Sequence, residues 1–176
     1  MENKIKIAIV DDNKKLAESL ELLLANFDNL KFKWWANNGL TALEKLTEDS
    51  DIDLILMDIQ MPALNGIKTT IEIKKKYPEI KILMLTVFGD DENIFDAIIA
   101  GASGYLLKDE KPRKLIEAIE EAMGGGAPMS PQIALKALNL IRQQKPEAKN
   151  AEDFNITERE LEILQQLASG KSYTEI

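Results

Sequence analysis

Two periodicities alternate along the first two-thirds of the chain. Short apolar runs at 5–10, 30–35, 54–57, 80–86 and 104–107 read as strands, being brief and separated by helical patterns. Between them apolar residues recur at spacings of three and four. Leu16, Leu20, Leu23 and Leu24 form one such set, Ile67, Thr70, Ile71 and Ile73 a second, and Leu115, Ile116, Ile119 and Met123 a third. Each set is the stripe of an amphipathic helix. Strands that alternate with helices predict parallel pairing with helices on both faces of the sheet. The runs at 54–58 and 82–87 show no polar alternation, as expected of strands covered on both sides. Five such units predict an α/β domain, a doubly wound five-stranded parallel sheet of about 125 residues.

Past that domain the pattern changes. Gly124-Gly125-Gly126-Ala127-Pro128 should end the last helix with a left-handed cap and block its continuation. Ser130-Pro131 predicts the cap and first turn of another helix, running to about Gln144. Residues 145–153 are polar and proline-containing, and read as linker. Thr157-Glu158-Arg159-Glu160 is a capping box opening a helix with Leu161, Leu164 and Leu167 on one face. Ser169-Gly170 ends it, and residues 173–176 start one more. The expected divisions are therefore 3–123 for the α/β domain, 124–153 for a linker with one helix, and 154–176 for the start of an all-helical unit.

Composition narrows the chemistry. The 176 residues include neither cysteine nor histidine. Thiolate and imidazole metal sites, disulfides and Ser-His-Asp catalysis are thereby excluded within this sequence. The chain also cannot supply its own phosphohistidine. No apolar run approaches the roughly 20 residues a membrane helix needs. Met1-Glu2-Asn3-Lys4 leads straight into a strand-like run without the features of an export signal, which points to a cytoplasmic protein with no membrane partner. The formal net charge of −8 opposes nucleic-acid binding. Residues 145–176 follow suit, with four basic and seven acidic side chains, 4 − 7 = −3.

The remaining chemistry is carboxylate, hydroxyl and lysine, and it gathers at strand ends. Asp11 and Asp12 follow the first strand, Asp58 ends the third, Thr86 ends the fourth and Lys108 follows the fifth. Ligand sites of open α/β sheets lie at that edge. A strand order with the first strand central and the third and fourth beside it would make these residues converge. Clustered carboxylates repel one another unless a hard divalent cation relieves them, and Mg²⁺ suits a site with few carboxylates, a backbone carbonyl and waters. Such a cation would let Asp58 attack a phosphoryl group as nucleophile. Lys108 would supply a second positive charge, and Thr86 a hydrogen bond to a phosphoryl oxygen. Taken singly, each residue has a plainer reading as a helix cap, a solvated turn, strand composition or a surface lysine. Their joint occurrence at one edge is what points to a site.

Val10-Asp11-Asp12, Met57-Asp58-Ile59-Gln60-Met61-Pro62 with Gly66, Leu85-Thr86, and Gly101-Ala102-Ser103-Gly104-Tyr105-Leu106-Leu107-Lys108 resemble the receiver domains of bacterial response regulators. The likeness covers roughly residues 4–123 and implies a flavodoxin-like receiver fold. It implies that Asp58 is the phosphoacceptor, that Asp11 and Asp12 flank Mg²⁺, and that Asp12, Asp58 and the Gln60 carbonyl are its ligands. It implies that Lys108 pairs with the phosphoryl group, that Thr86 moves toward it, and that Tyr105 is an aromatic switch turning inward with Thr86. Pro62 and Gly66 would shape the loop after Asp58.

The tail is similar to transcription factors of the NarL/LuxR type. Its blocks are Gly124-Gly125, Met129-Ser130-Pro131, Ile156-Thr157-Glu158-Arg159-Glu160-Leu161-Glu162-Ile163-Leu164 and Ala168-Ser169-Gly170-Lys171-Ser172. This implies that 154–176 opens a helix-turn-helix output domain whose recognition helix is absent, so no residue of this chain reads DNA. The implied partners are a sensor histidine kinase, DNA only through a complete output domain, and a second copy, since Ile94, Phe95, Ile98 and Ile99 lie where such receivers often dimerise or dock their output, although most of these residues should simply be core. Phe88 and Gln60, each two residues past a pocket residue, would govern access of water to the acyl phosphate. Such a receiver assists its own phosphorylation but turns over no external substrate. Two rivals stand beside this reading. One is an Asp-nucleophile phosphatase, which would need an acid where Gln60 stands. The other is an interaction module that ignores phosphorylation. Trp34-Trp35 has its own two readings: packing with the rings on opposite strand faces, or a partner-binding patch.

Overall fold

A computed structural model of the chain describes residues 4–87 and 91–143. The chain divides into two units, Met1–Leu140 and Ile141–Ile176. The first contains the strands β1 (Ile5–Val10), β2 (Leu30–Ala36), β3 (Leu54–Asp58), β4 (Lys81–Thr86) and β5 (Gly104–Leu107). Helices α1 (Lys14–Leu24), α2 (Gly39–Glu48), α3 (Gly66–Lys76), α4 (Asp91–Ile99) and α5 (Pro112–Met123) follow them in turn, and α6 (Pro131–Gln143) comes last. All four ladders are parallel, in the order β2-β1-β3-β4-β5. The expected doubly wound α/β fold is present, with β1 beside β3 and β4 next in line.

Alternation along each strand sorts the core into two layers. Ala8, Val10, Ile55, Met57, Ile82, Met84 and Tyr105 pack under α2, α3 and α4, whose buried contributions include Leu46, Ile73 and Ile94. Their neighbours Ile7, Ile9, Leu54, Leu56, Leu83, Leu85 and Leu106 pack under α1 and α5, against Leu20, Leu24, Leu115 and Ile119. A parallel strand buried on both sides must be apolar at successive positions, which explains the unbroken runs in the sequence.

Small departures from expectation have local causes. Ala36 pairs with Val10 and Asp58 with Leu85, so both belong to their ladders. The Ile80 amide instead turns back to the Tyr77 carbonyl at 3.2 Å, and β4 begins one residue later than expected. Ile71 is 39% exposed and Ile73 fully buried, so the α3 stripe is narrower than its spacing suggested. The left-handed residue after α5 is Gly125, at φ +88°. A shift of register between Ile7 and Ala8 leaves Lys33 unpaired in β2, a bulge that sends Phe32 and Trp34 to opposite layers.

The stretch after α5 is part of the first unit. Met129 makes a parallel bridge to Tyr105, and Ile133 and Ala137 of α6 are buried in the same layer as Ile94 and Ala97. Ser130, expected as a helix cap, accepts the Leu107 N–H on its hydroxyl at 3.2 Å. The expected capping box at 157–160 and the helix behind it lie outside the described residues, as does Phe88.

Candidate functional site

The acids and the lysine reach one end of the sheet on separate loops. Asn13 caps α1, its side chain accepting the Leu16 N–H at 3.2 Å. Capping therefore falls to Asn13, leaving the carboxylates of Asp11 and Asp12 for other contacts. Asp11 is 1% exposed and held at four atoms. Its N–H donates to the Ala36 carbonyl at 3.0 Å, and its carbonyl accepts the Trp35 indole N–H at 2.8 Å. Its Oδ1 accepts the Asn13 N–H at 2.9 Å, and its Oδ2 pairs with Lys108 Nζ at 2.7 Å.

Asp58, 6% exposed, shares that lysine: its Oδ2 lies 2.9 Å from Lys108 Nζ while its Oδ1 accepts the Ile59 N–H at 2.8 Å. Asp12 is exposed on the rim, and the carboxylates of Asp11, Asp12 and Asp58 all come within 4.8 Å of one another. The Lys108 N–H donates to the Thr86 carbonyl at 2.7 Å, fastening the loop after β5 to the end of β4. Gly66 N–H donates to the Ile59 carbonyl at 2.9 Å, folding the loop after Asp58 back on itself. A Cβ on Gly66 would sit 1.9 Å from the Asp58 carbonyl oxygen, so only glycine fits there.

Charge in this corner is unbalanced. Three carboxylates face one ammonium, and 3 − 1 leaves two negative charges. Burial pushes the Asp58 carboxyl above its ordinary range; Lys108 pulls it back and Asp11 adds to the rise. Burial pulls Lys108 down, but its hydrogen bonds to Asp11 and Asp58 outweigh that and leave it raised. Excess negative charge with oxygen donors is the donor set a hard divalent cation takes, so these residues fit Mg²⁺. The cleft is about 260 Å³ and is lined by Asp12, Asn13, Asp58, Gln60, Thr86, Val87 and Lys108.

Tyr105 stands apart from this group. It is 1% exposed and pairs with Met84, in the layer that Thr86 shares by alternation. Its ring already lies inside. Its N–H donates to the Pro128 carbonyl at 2.9 Å, and its carbonyl accepts the Ser130 N–H at 3.1 Å. Sequence reasoning missed two contributors: Asn13, which its place before a helical stripe could have revealed, and Trp35, whose bond to Asp11 has no local signal.

Residues 7–120 match the response regulator receiver domain family. The chain belongs to the response regulators. This response regulator is 38% identical to the transcriptional regulatory protein LnrK of Bacillus subtilis over 178 residues, covering 98% of this chain and 80% of LnrK. It is 33% identical to the transcriptional regulatory protein DegU of Brevibacillus brevis, covering 97% and 78% of the two chains. A two-component response regulator of the LuxR family from Aurantimonas superposes with a TM-score of 0.74 at 28% identity, over 80% of this chain and 99% of that one. The receiver is thus that of a two-component transcriptional regulator of the LuxR type, with the flavodoxin-like fold. No helix among the described residues is long and apolar enough to cross a membrane.

Proposed function

We propose that Asp58 accepts a phosphoryl group from a sensor histidine kinase, and that the acyl phosphate controls a DNA-binding output domain. The observation that carries this reading is the single Lys108 ammonium shared by Asp11 and Asp58 with Asp12 at the rim. An Asp58 oxygen attacks phosphorus, the P–N bond to the donor imidazole breaks, and a P–O bond to Asp58 forms. Mg²⁺, when bound, neutralises charge on the transferring group. Asp12, Asp58 and the Gln60 carbonyl would hold it. Asp11, with both carboxylate oxygens engaged by the chain, would support it by charge.

Lys108 is released by Asp58 as the acyl phosphate forms and turns to a phosphoryl oxygen. Thr86, two residues from Met84 on the same layer, supplies a hydroxyl to the phosphoryl group, and its movement is felt by Tyr105. Residues 3–123 would be the receiver, 124–153 the linker and 154–176 the opening of the output domain. On this reading the protein works in the cytoplasm and reaches DNA only through a complete output domain. Its partner copy, where it dimerises, is a second receiver. It turns over no external substrate.

Acetyl phosphate with Mg²⁺ tests the proposal. Intact-mass analysis should show one added phosphoryl group, absent in Asp58→Asn and absent in EDTA. Continuous release of phosphate from added phosphoesters, without a stable adduct, would favour a phosphatase instead.

A further inference from the structure

We infer that Trp35 is a positioning residue for the acid loop, aiming Asp12 at the cation through the peptide plane between Asp11 and Asp12. The inference rests on the metal-assisted reading above and extends it to a residue on a different strand.

The peptide unit is planar, so the Asp11 carbonyl and the Asp12 N–H turn together. Trp35 Nε1 donates to that carbonyl at 2.8 Å from the end of β2. On the other side of the same residue, the Asp11 N–H is tied to Ala36, the next residue of β2. The strand end therefore grips Asp11 at both its N–H and its carbonyl. Fixing the carbonyl fixes the N–Cα bond of Asp12, which lies in the same plane, and so the point from which its side chain departs. Asp12 needs this, being the exposed acid of the three, while Asp11 and Asp58 are tethered by Lys108.

The bulge at Lys33 sets the arrangement up. It puts Trp34 and Trp35 in register with Ala8 and Ile9, so that Trp34 enters one core layer and Trp35 the other. Trp34 then donates to the Asp49 carbonyl at 3.4 Å, on a loop away from the acids. Two adjacent indoles thus make the same kind of bond, one to the acid loop and one elsewhere, which provides an internal control. Outer partners that orient metal ligands matter for affinity even though they never touch the ion.

The test measures Mn²⁺ binding by electron paramagnetic resonance, Mn²⁺ serving as a hard-cation probe. The proteins are the whole chain and the variants Trp35→Phe, Trp34→Phe and Asp12→Ala. A further variant replaces the indole at 35 by benzothiophene, which keeps its size and removes only the N–H donor. Trp35→Phe and the benzothiophene protein should each bind about 10-fold more weakly, the lower end of such effects. Trp34→Phe should bind within twofold of wild type. Equal affinity for the benzothiophene protein and wild type would overturn the inference while leaving the metal site standing. Asp12→Ala binding as tightly as wild type would overturn the metal reading itself, and the inference with it. Should Trp35→Phe fail to fold, the benzothiophene protein decides.

Discussion

Lysines and aspartates cluster at both ends of this sheet, and the two clusters behave in opposite ways. At the end where β1 begins, Lys6 meets Asp51 at 2.5 Å, and Lys33 meets Asp49 at 3.0 Å and Asp51 at 3.4 Å. Two ammonium groups face three carboxylates, because Asp53 Oδ2 also accepts the Lys6 backbone N–H at 2.7 Å; 2 − 3 leaves one negative charge, and Asp49 and Asp51 are open to water. At the other end one lysine faces three carboxylates, two of them buried. The first cluster is closer to balance and its acids are solvated, so water screens the remaining charge at the bottom of the sheet. The second has one lysine for three carboxylates with two of them buried, the setting that the proposed cation and phosphoryl group would relieve. Composition is nearly the same; burial and the number of lysines set the two clusters apart.

This contrast can be broken from either side. The largest effect should come from Lys108→Met, which strands two buried carboxylates. In EDTA at neutral pH it should cost about 3 kcal/mol in urea unfolding, with part recovered on adding Mg²⁺. Next is the cation itself. At ten times its dissociation constant, Mg²⁺ should stabilise the wild type by about 1.4 kcal/mol, and Asp12→Ala should lose most of that.

The pH dependence carries a definite sign. The folded-state value of Asp58 is raised above the ordinary 3.8. The folded protein therefore holds a proton that the unfolded chain has released. Without metal, the Asp58 contribution to stability should fall as pH climbs from 3.8 through the raised value. The Mg²⁺ gain should grow over the same window, since the ion binds the deprotonated carboxylate. Urea midpoints with and without Mg²⁺, compared with Asp58→Asn, read both. The smallest effect belongs to the solvated end. Lys33→Met should leave the unfolding midpoint and the rate of phosphorylation by acetyl phosphate unchanged.

Much of this was legible in the residues. Unbroken apolar runs announced strands covered on both faces, and the polar residues that interrupt them fell at one edge because parallel strands all end there. What escaped was whatever depends on contacts between distant segments. Nothing near Trp35 in the sequence tells that its indole reaches Asp11, because the bulge at Lys33 that aims it shows only once β1 and β2 pair. The breadth of the α3 stripe was misjudged for a related reason. Ile71 satisfies the helical spacing, yet it stays 39% exposed while Ile73 is fully buried. Ser130 stands just before α6 as expected, its carbonyl accepting the Ala134 N–H, but the bond its hydroxyl takes from a strand 23 residues earlier has no local signal.

The bridge from Met129 to Tyr105, with its hydrogen bonds through Pro128 and Ser130, has a practical side for anyone dissecting this chain. A fragment cut after α5 would strip the outer margin of β5 and leave its amides and carbonyls ready to recruit any extended peptide, including another copy. It would also remove Ile133 and Ala137 from the core layer they share with Ile94, Ala97 and Tyr105. Such a fragment would be prone to clump, and a self-sufficient receiver should keep α6 through about residue 140.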